Sequence, residues 1–254
     1  VESWLQHSGF EGFEPVTLAG QSTSLREELA ERQLPDSFAH LVGLHAQALV
    51  DALVPLGTRE YSIASLPSDG RLEFLIRLLR HPDGTPGLAS GWLTQDLVLG
   101  EEIGLRVRAN RSFHGPASET PLILIGNGTG LAGLRAHLKA RITPGGGAWL
   151  LFGERTRAHD AFFDADLQAW LASGVLTRLD RCFSRDAGDG RYVQDLVAAN
   201  AEDIRAWVTR GAVVLVCGSL EGMSQGVHAT LEQALGADAL LELLETGRYR
   251  RDVY

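Results

Sequence analysis

A chain of 254 residues, 44% hydrophobic and 22% charged, has the composition of a globular protein with room for two domains or one large one. Its formal charge of −9 argues against a nucleic-acid binder, which needs a basic face. Two cysteines without C-x-x-C spacing, and histidines without a ligand pattern, argue against a disulfide scaffold or a metal site.

Residues 1–58 read as mainly helical. In "TSLREELAER", Ser24 precedes Leu25 with Glu27 and Glu28 in the first turn, a helix start. "FAHLVGLHAQALVDALVPL" keeps apolar residues on a helical period as far as Pro55. From 59 to 115 the character changes. "REYSIAS", "RLEFLIRLLR" and "EIGLRVRAN" are short β-type runs divided by turn residues, as in part of an antiparallel barrel or sandwich. A boundary falls near Pro116–Pro121. Beyond it strands alternate with helices: "PLILIG", "GAWLLFGE", "VLTRLDRCFS" and "AVVLVCGS" are the strands, and "LAGLRAHLKAR", "AFFDADLQAWLASG", "RYVQDLVAANAEDIRAWVTRG" and "MSQGVHATLEQALG" the helices. That rhythm predicts a parallel sheet covered on both faces. The expected fold is therefore β plus α/β: a mainly helical stretch, part of an antiparallel barrel or sandwich, and then a parallel α/β domain.

"ILIGNGTGLAG" places Gly126, Gly128 and Gly130 between a strand and a helix, where phosphate meets backbone N–H groups. Gly128-x-Gly130-x-x-Gly133 also fits the dinucleotide fingerprint, with Glu154 ending the next strand where a ribose carboxylate would lie. "GLASGWL" (Gly87, Leu88, Ala89, Ser90) reads as a second pyrophosphate loop or as an ordinary helix cap by Ser90. "REYS" offers a guanidinium from Arg59, a ring from Tyr61 and a hydroxyl from Ser62. "CFSRD" ends a sheet strand with Ser184 and Arg185, a pair suited to a phosphate monoester. Cys217 in "VCGS" also ends a strand, a position where a buried cysteine is more often packing than chemistry.

In chain order, R-x-Y-S, G-x-A-S-x-x-L, I-G-x-G-T-G-x-A, F-G-x-R, F-S-R-D, Y-V-Q, V-C-G and a terminal R-Y-x-x-D-V-aromatic form one series. From about Glu14 to Tyr254 it resembles the ferredoxin–NADP reductase superfamily, in its diflavin branch, most like the C-terminal FAD/NADP module of NADPH–sulfite reductase flavoproteins. The resemblance makes the expected fold a partial antiparallel barrel with a helical insert, followed by a parallel α/β nucleotide-binding domain. It implies a helical connecting segment over 1–58, an FAD-binding barrel portion over 59–118 and an NADP-binding domain over 119–254. It assigns FAD to Arg59, Tyr61, Ser62, Leu75, Ile76, Arg77, Gly87, Leu88, Ala89 and Ser90. It assigns the NADP pyrophosphate to Gly128, Thr129, Gly130 and Arg155, the 2′-phosphate to Ser184 and Arg185, and the adenosine to Tyr192 and Gln194. Ser62, Cys217 and Asp252 match the hydride-transfer cluster, and Tyr254 the terminal ring over the flavin. Glu154 need not bind ribose in this family.

Four places depart from the family pattern, one of them Gly226, where sulfite-reductase-like proteins can carry an aspartate. Asn127 replaces the proline of G-P-G-T-G, Ala132-Gly133-Leu134 replaces A-P-F, and Gly190 stands where a lysine is usual, with Arg191 beside it as the substitute cation. The resemblance further implies FAD and NADPH as cofactors. It implies an FMN or flavodoxin-like domain or carrier protein as electron partner, and a terminal haem reductase such as the sulfite reductase haemoprotein. A cytoplasmic setting is expected, with membrane attachment only through an absent N-terminal part. The chain begins at Val1 and is expected to be the C-terminal piece of a longer protein. Three alternatives stay open: a flavodoxin or ferredoxin reductase with a separate carrier, a colourless Rossmann dehydrogenase, and a non-catalytic remnant that binds only NADP(H).

Overall fold

The computed structural model describes residues 1, 5, 10–18, 20–34, 41, 43–141 and 145–254. The chain divides into two compact units, Val1–Glu60 and Tyr61–Tyr254.

The first unit, expected to be mainly helical, also holds a small hairpin. Strand β1 (Pro15–Leu18) pairs antiparallel with β2 (Gln21–Ser24). Four-residue strands of mixed Thr, Ser and Gln carry too short an alternation to register as a pattern. Ser24 then starts helix α1 (Leu25–Ala30) with a reciprocal cap. Its hydroxyl accepts from the Glu27 N–H at 3.3 Å, and its own N–H donates to Glu27 Oε2 at 3.0 Å. Ser24→Ala is expected to lower the stability of this unit by about 1 kcal/mol, read from urea unfolding; no change in midpoint would mean the cap is dispensable. The apolar period over 38–55 yields helix α2 (Ala46–Ala52); residues 35–40 and 42 lie outside the described residues. Gln47 on α2 grips β1, donating to Thr17 O at 3.2 Å and accepting from Thr17 N at 2.7 Å. Val16, Leu25, Leu29, Leu49 and Val50 are buried together as the core.

The second unit is built on a five-stranded parallel sheet. Its strands are β3 (Leu122–Asn127), β4 (Ala148–Glu154), β5 (Arg178–Phe183), β6 (Val213–Gly218) and β7 (Tyr249–Val253), in the spatial order β5-β4-β3-β6-β7. The run "LILIG" is apolar throughout because both sheet faces are covered. Ile123 and Ile125 join a core with Val193, Val197 and Ile204, and Leu122 and Leu124 join another with Leu131, Leu134 and Leu138. Helix α4 (Leu131–Lys139) follows β3, and α6 (Asp164–Ser173) ends at Gly174 as expected, after the short turns α3 (Leu88–Gly91) and α5 (Arg157–Asp160). The helix expected across 191–211 is two, α7 (Val193–Ala199) and α8 (Ala201–Thr209). Asn200 breaks it: its amide donates to Leu196 O at 2.8 Å and its carbonyl accepts from Arg178. Helices α9 (Gln225–Leu235) and α10 (Ala237–Glu245) lead into β7.

The strands expected between 59 and 115 do not form ladders. Among the described residues of that segment, the only β-bridges are the isolated pairs Ile63↔Phe74 and Arg80↔Pro86, and no barrel closes. A strand exists by pairing along its length, and Ile103, Leu105 and Val107 stand 37%, 51% and 63% exposed with no strand beside them. Charge pairs tie this segment to the sheet domain instead. Arg135 on α4 donates to Ala64 O at 2.7 Å, to Glu73 at 2.6 Å and to Asp166 at 2.6 Å; Lys139 meets Asp69 at 2.6 Å.

Candidate active site

The order β5-β4-β3-β6-β7 reverses direction between β3 and β6, and a cavity of about 620 Å³ opens there at the carboxyl ends of the strands. Gly128 and Thr129, of the turn Gly128-Thr129-Gly130, form one wall. Gly128 has φ +58, and a Cβ on Gly130 would stand 2.5 Å from the Cys217 carbonyl carbon and 2.7 Å from Gly218 Cα. Only glycine fits so close to a neighbouring strand, and the turn delivers the chain into α4. Asn127, in place of the family's proline, binds the two strand ends together: its side-chain oxygen accepts from the Ser219 N–H at 3.0 Å. Proline could not make that bond.

Arginine dominates another wall. Arg155 follows β4, Ser184 and Arg185 follow β5, and Arg191 and Tyr192 precede α7; all five line the cavity, with Gln194 in the first turn of α7. Backbone bonds from Ser184 N to Glu154 O (2.8 Å) and from Arg185 N to Arg155 O (2.7 Å) hold these two edges side by side. Arg191 is braced by Asp189 at 2.7 Å, and Tyr192 is exposed. A cluster of cations on a chain of net charge −9 is a local anion site set against the molecule's overall field.

Glu154 is not available to a ribose. Its buried side chain pairs with Arg77 and accepts from the Arg155 N–H at 2.6 Å, and burial raises its pKa. Arg77 lines this cavity and pairs with Glu154. Leu75 packs against the core that holds Leu122 and Leu124.

Beside the glycine turn, three distant parts of the chain converge on Asp252. Ser62 donates to Asp252 Oδ2 at 3.2 Å, and Cys217 Sγ lies 3.9 Å from the same oxygen. Asp252 Oδ1 accepts from Asn110 at 3.0 Å, a partner that no motif signalled. The Cys217 thiol is fully buried and held protonated, first by burial and then by Asp252. The Cys182 thiol, also buried, is pushed up to about 12 by burial. Gly133 leaves room beneath this cluster: a Cβ there would meet Cys217 Sγ at 3.3 Å. Tyr254 follows β7, its N–H bonded to Gly218 O at 3.1 Å and its hydroxyl 3.1 Å from Thr129 Oγ1. The ring is half exposed, and burial of the phenol end raises its pKa to about 12.

Residues 124–229 match the oxidoreductase NAD-binding domain family. All of this chain aligns, at 35% identity over 273 residues, with a sulfite reductase [NADPH] flavoprotein alpha-component of Vibrio vulnificus strain CMCP6, of which it covers 44%. The chain belongs to the ferredoxin–NADP reductase superfamily. Proteins of the same description from Yersinia enterocolitica (35% identity; 83% of this chain, 38% of the relative) and Vibrio parahaemolyticus (34%; 93% and 41%) are also similar. The chain thus spans less than half the length of these curated relatives.

Other superfamily positions are placed as follows. Ser90 is buried, and its hydroxyl is occupied within its own segment: it accepts from Leu79 N at 3.1 Å and donates to Gly87 O at 3.2 Å. Gly87, not Ser90, caps α3, whose first turn contains exposed Leu88 and half-buried Ala89. Tyr61 is half-buried. In the first unit, the Arg59 guanidinium donates to Gly57 O at 2.9 Å and Thr58 O at 3.3 Å. Among the described residues no helix is long and apolar enough to cross a membrane, and no group of side chains could hold a metal ion.

Proposed function

We propose that this chain is the NADPH- and FAD-binding module of a flavoprotein reductase of the sulfite reductase type. The observation that carries this reading is the convergence of Ser62, Cys217 and Asp252 beside the Gly128–Gly130 turn. A plain Rossmann dehydrogenase has no use for that cluster or for a terminal ring on the phosphate turn. When bound, FAD supplies two-electron acceptance and one-electron release. The chain supplies alignment. Gly128, Thr129, Gly130 and Arg155 hold the NADPH pyrophosphate with backbone and guanidinium donors. Ser184, Arg185 and Arg191 take the 2′-phosphate, and Tyr192 and Gln194 flank the adenosine. Ser62, Cys217 and Asp252 orient the nicotinamide amide edge. Tyr254 would shield bound FAD and would have to move for a nicotinamide to enter; Tyr61, Ser62, Leu75, Ile76 and the Gly87–Ser90 turn would hold FAD. A flavin barrel would pair the apolar run at 103–107. The module would pass electrons to an FMN domain or carrier protein, with a terminal haem reductase as the acceptor class, in the cytoplasm.

The deciding experiment is a visible spectrum of the purified chain with added FAD, before and after anaerobic NADPH. A bound flavin that bleaches supports the reading; a colourless protein that still binds NADPH supports a nucleotide-only remnant. Arg185→Ala is expected to weaken NADPH binding by roughly tenfold or more and leave NADH nearly unchanged, because a charge-assisted phosphate contact is lost. Equal losses for both in parallel titrations would remove Arg185 from the 2′-phosphate.

A further inference from the structure

We infer that Arg77 is a positioning residue of the dinucleotide cavity, set there to cancel the Glu154 charge so that the glycine turn above it accepts a pyrophosphate. This rests on the reading of the cavity as the NADPH site. Glu154 ends β4 with its side chain 3% exposed. Its Oε1 lies 3.5 Å from where a Cβ on Gly128 would stand, so a carboxylate sits directly beneath the turn. Its Oε2 accepts from the N–H of Arg155, a residue at the same wall.

A buried carboxylate so close to a phosphate site repels the ligand, because the low local dielectric screens it poorly. Arg77 is placed to remove that repulsion. Its Nη2 pairs with Glu154 Oε1 and reaches Asp160 Oδ1 at 3.3 Å, while Asp160 Oδ2 is held by the Thr156 N–H and hydroxyl, each at 2.9 Å. The guanidinium carbon lies 5.7 Å from the Phe162 ring centroid, which limits its swing. The Arg77 side chain is 30% exposed and lines the cavity. Both of its ion-pair partners belong to the β4–α5 region, so its place is the nucleotide wall and not the flavin surface.

The test is calorimetric titration of the 254-residue chain with NADP⁺ and with 2′-AMP, which lacks the pyrophosphate. Arg77→Gln is expected to weaken NADP⁺ binding by about tenfold or more, the effect of leaving a charged partner unpaired, and to leave 2′-AMP within about twofold. The double variant Arg77→Gln/Glu154→Gln is expected to recover most of the lost affinity. Glu154→Gln alone is expected to bind NADP⁺ at least as tightly as the unaltered chain, a result that stands even if Arg77→Gln fails to fold. Equal losses for both ligands would make Arg77 structural, and absent rescue would make it a direct phosphate ligand. Weaker FAD binding, read from flavin absorbance, would return it to the flavin. Each of these overturns the proposal. An unaltered chain that binds no NADP⁺ would overturn the cavity reading itself.

Discussion

Gly130→Ala is expected to lower the melting temperature by roughly 2–12 °C and to reduce NADP⁺ affinity at least about a hundredfold. The added Cβ meets the Cys217 carbonyl group and Gly218 Cα, which are backbone atoms at the end of a central strand. They yield only if β6 moves away from β3, and β6 is held on its far side by β7. Overpacking of this kind costs about 1–3 kcal/mol, and in a chain of this size each kcal/mol moves the midpoint by roughly 2–4 °C. The binding loss is larger because displacing a phosphate turn by about 1 Å misaligns every donor on it. Circular dichroism melting and calorimetry read the two effects separately. An unchanged midpoint would mean that the turn has room to spare, and its glycine would need another explanation.

Asp252→Ala is expected to slow NADPH-driven flavin reduction by about a hundredfold or more while leaving NADP⁺ affinity within about threefold. The carboxylate is the one group that Ser62, Cys217 and Asn110 all address. Without it two polar donors and a thiol lose their common acceptor, and the face that aligns the nicotinamide loses its shape. Removing a preorganised polar group from a reaction centre costs about 10²–10³ in rate. The proposed phosphate contacts, by contrast, lie in the cavity, which Asp252 does not line. Asp252→Asn keeps the size and one acceptor oxygen, so its rate is expected to fall between the two. Stopped-flow absorbance at the flavin band gives the rate and a separate titration the affinity. A parallel fall in both would make Asp252 a binding residue rather than an aligning one.

The parallel domain was legible because its signals are local. "LILIGNGTG" contains a strand, a tight turn and a helix start within a dozen residues, and each depends only on neighbours in sequence. The Ser24–Glu27 cap was legible for the same reason. What was missed depends on distant partners. "RLEFLIRLLR" has the alternation of a strand, yet pairing is a property of two segments, and only single bridges form. The pairing of Arg77 with Glu154, 77 positions further along, has no signal in the sequence around either residue. Asn110 belongs to no motif. Its role at Asp252 arises only because the chain before Arg111–Phe113 passes beside β7, a contact that no spacing rule encodes. Asn127 reads as a departure from a pattern, and its bond to Ser219 N explains how the turn holds without proline.

The two sunken thiols have a practical consequence for optical work. Cys182 and Cys217 are the chain's only cysteines, both are fully buried, and both are kept in the unreactive protonated form. A maleimide dye therefore finds no native target while the protein is folded. One cysteine introduced at an exposed cavity-rim position would be the single labelling site. Nucleotide arrival and the movement of Tyr254 could then be followed by fluorescence without first stripping the molecule of its own sulfur.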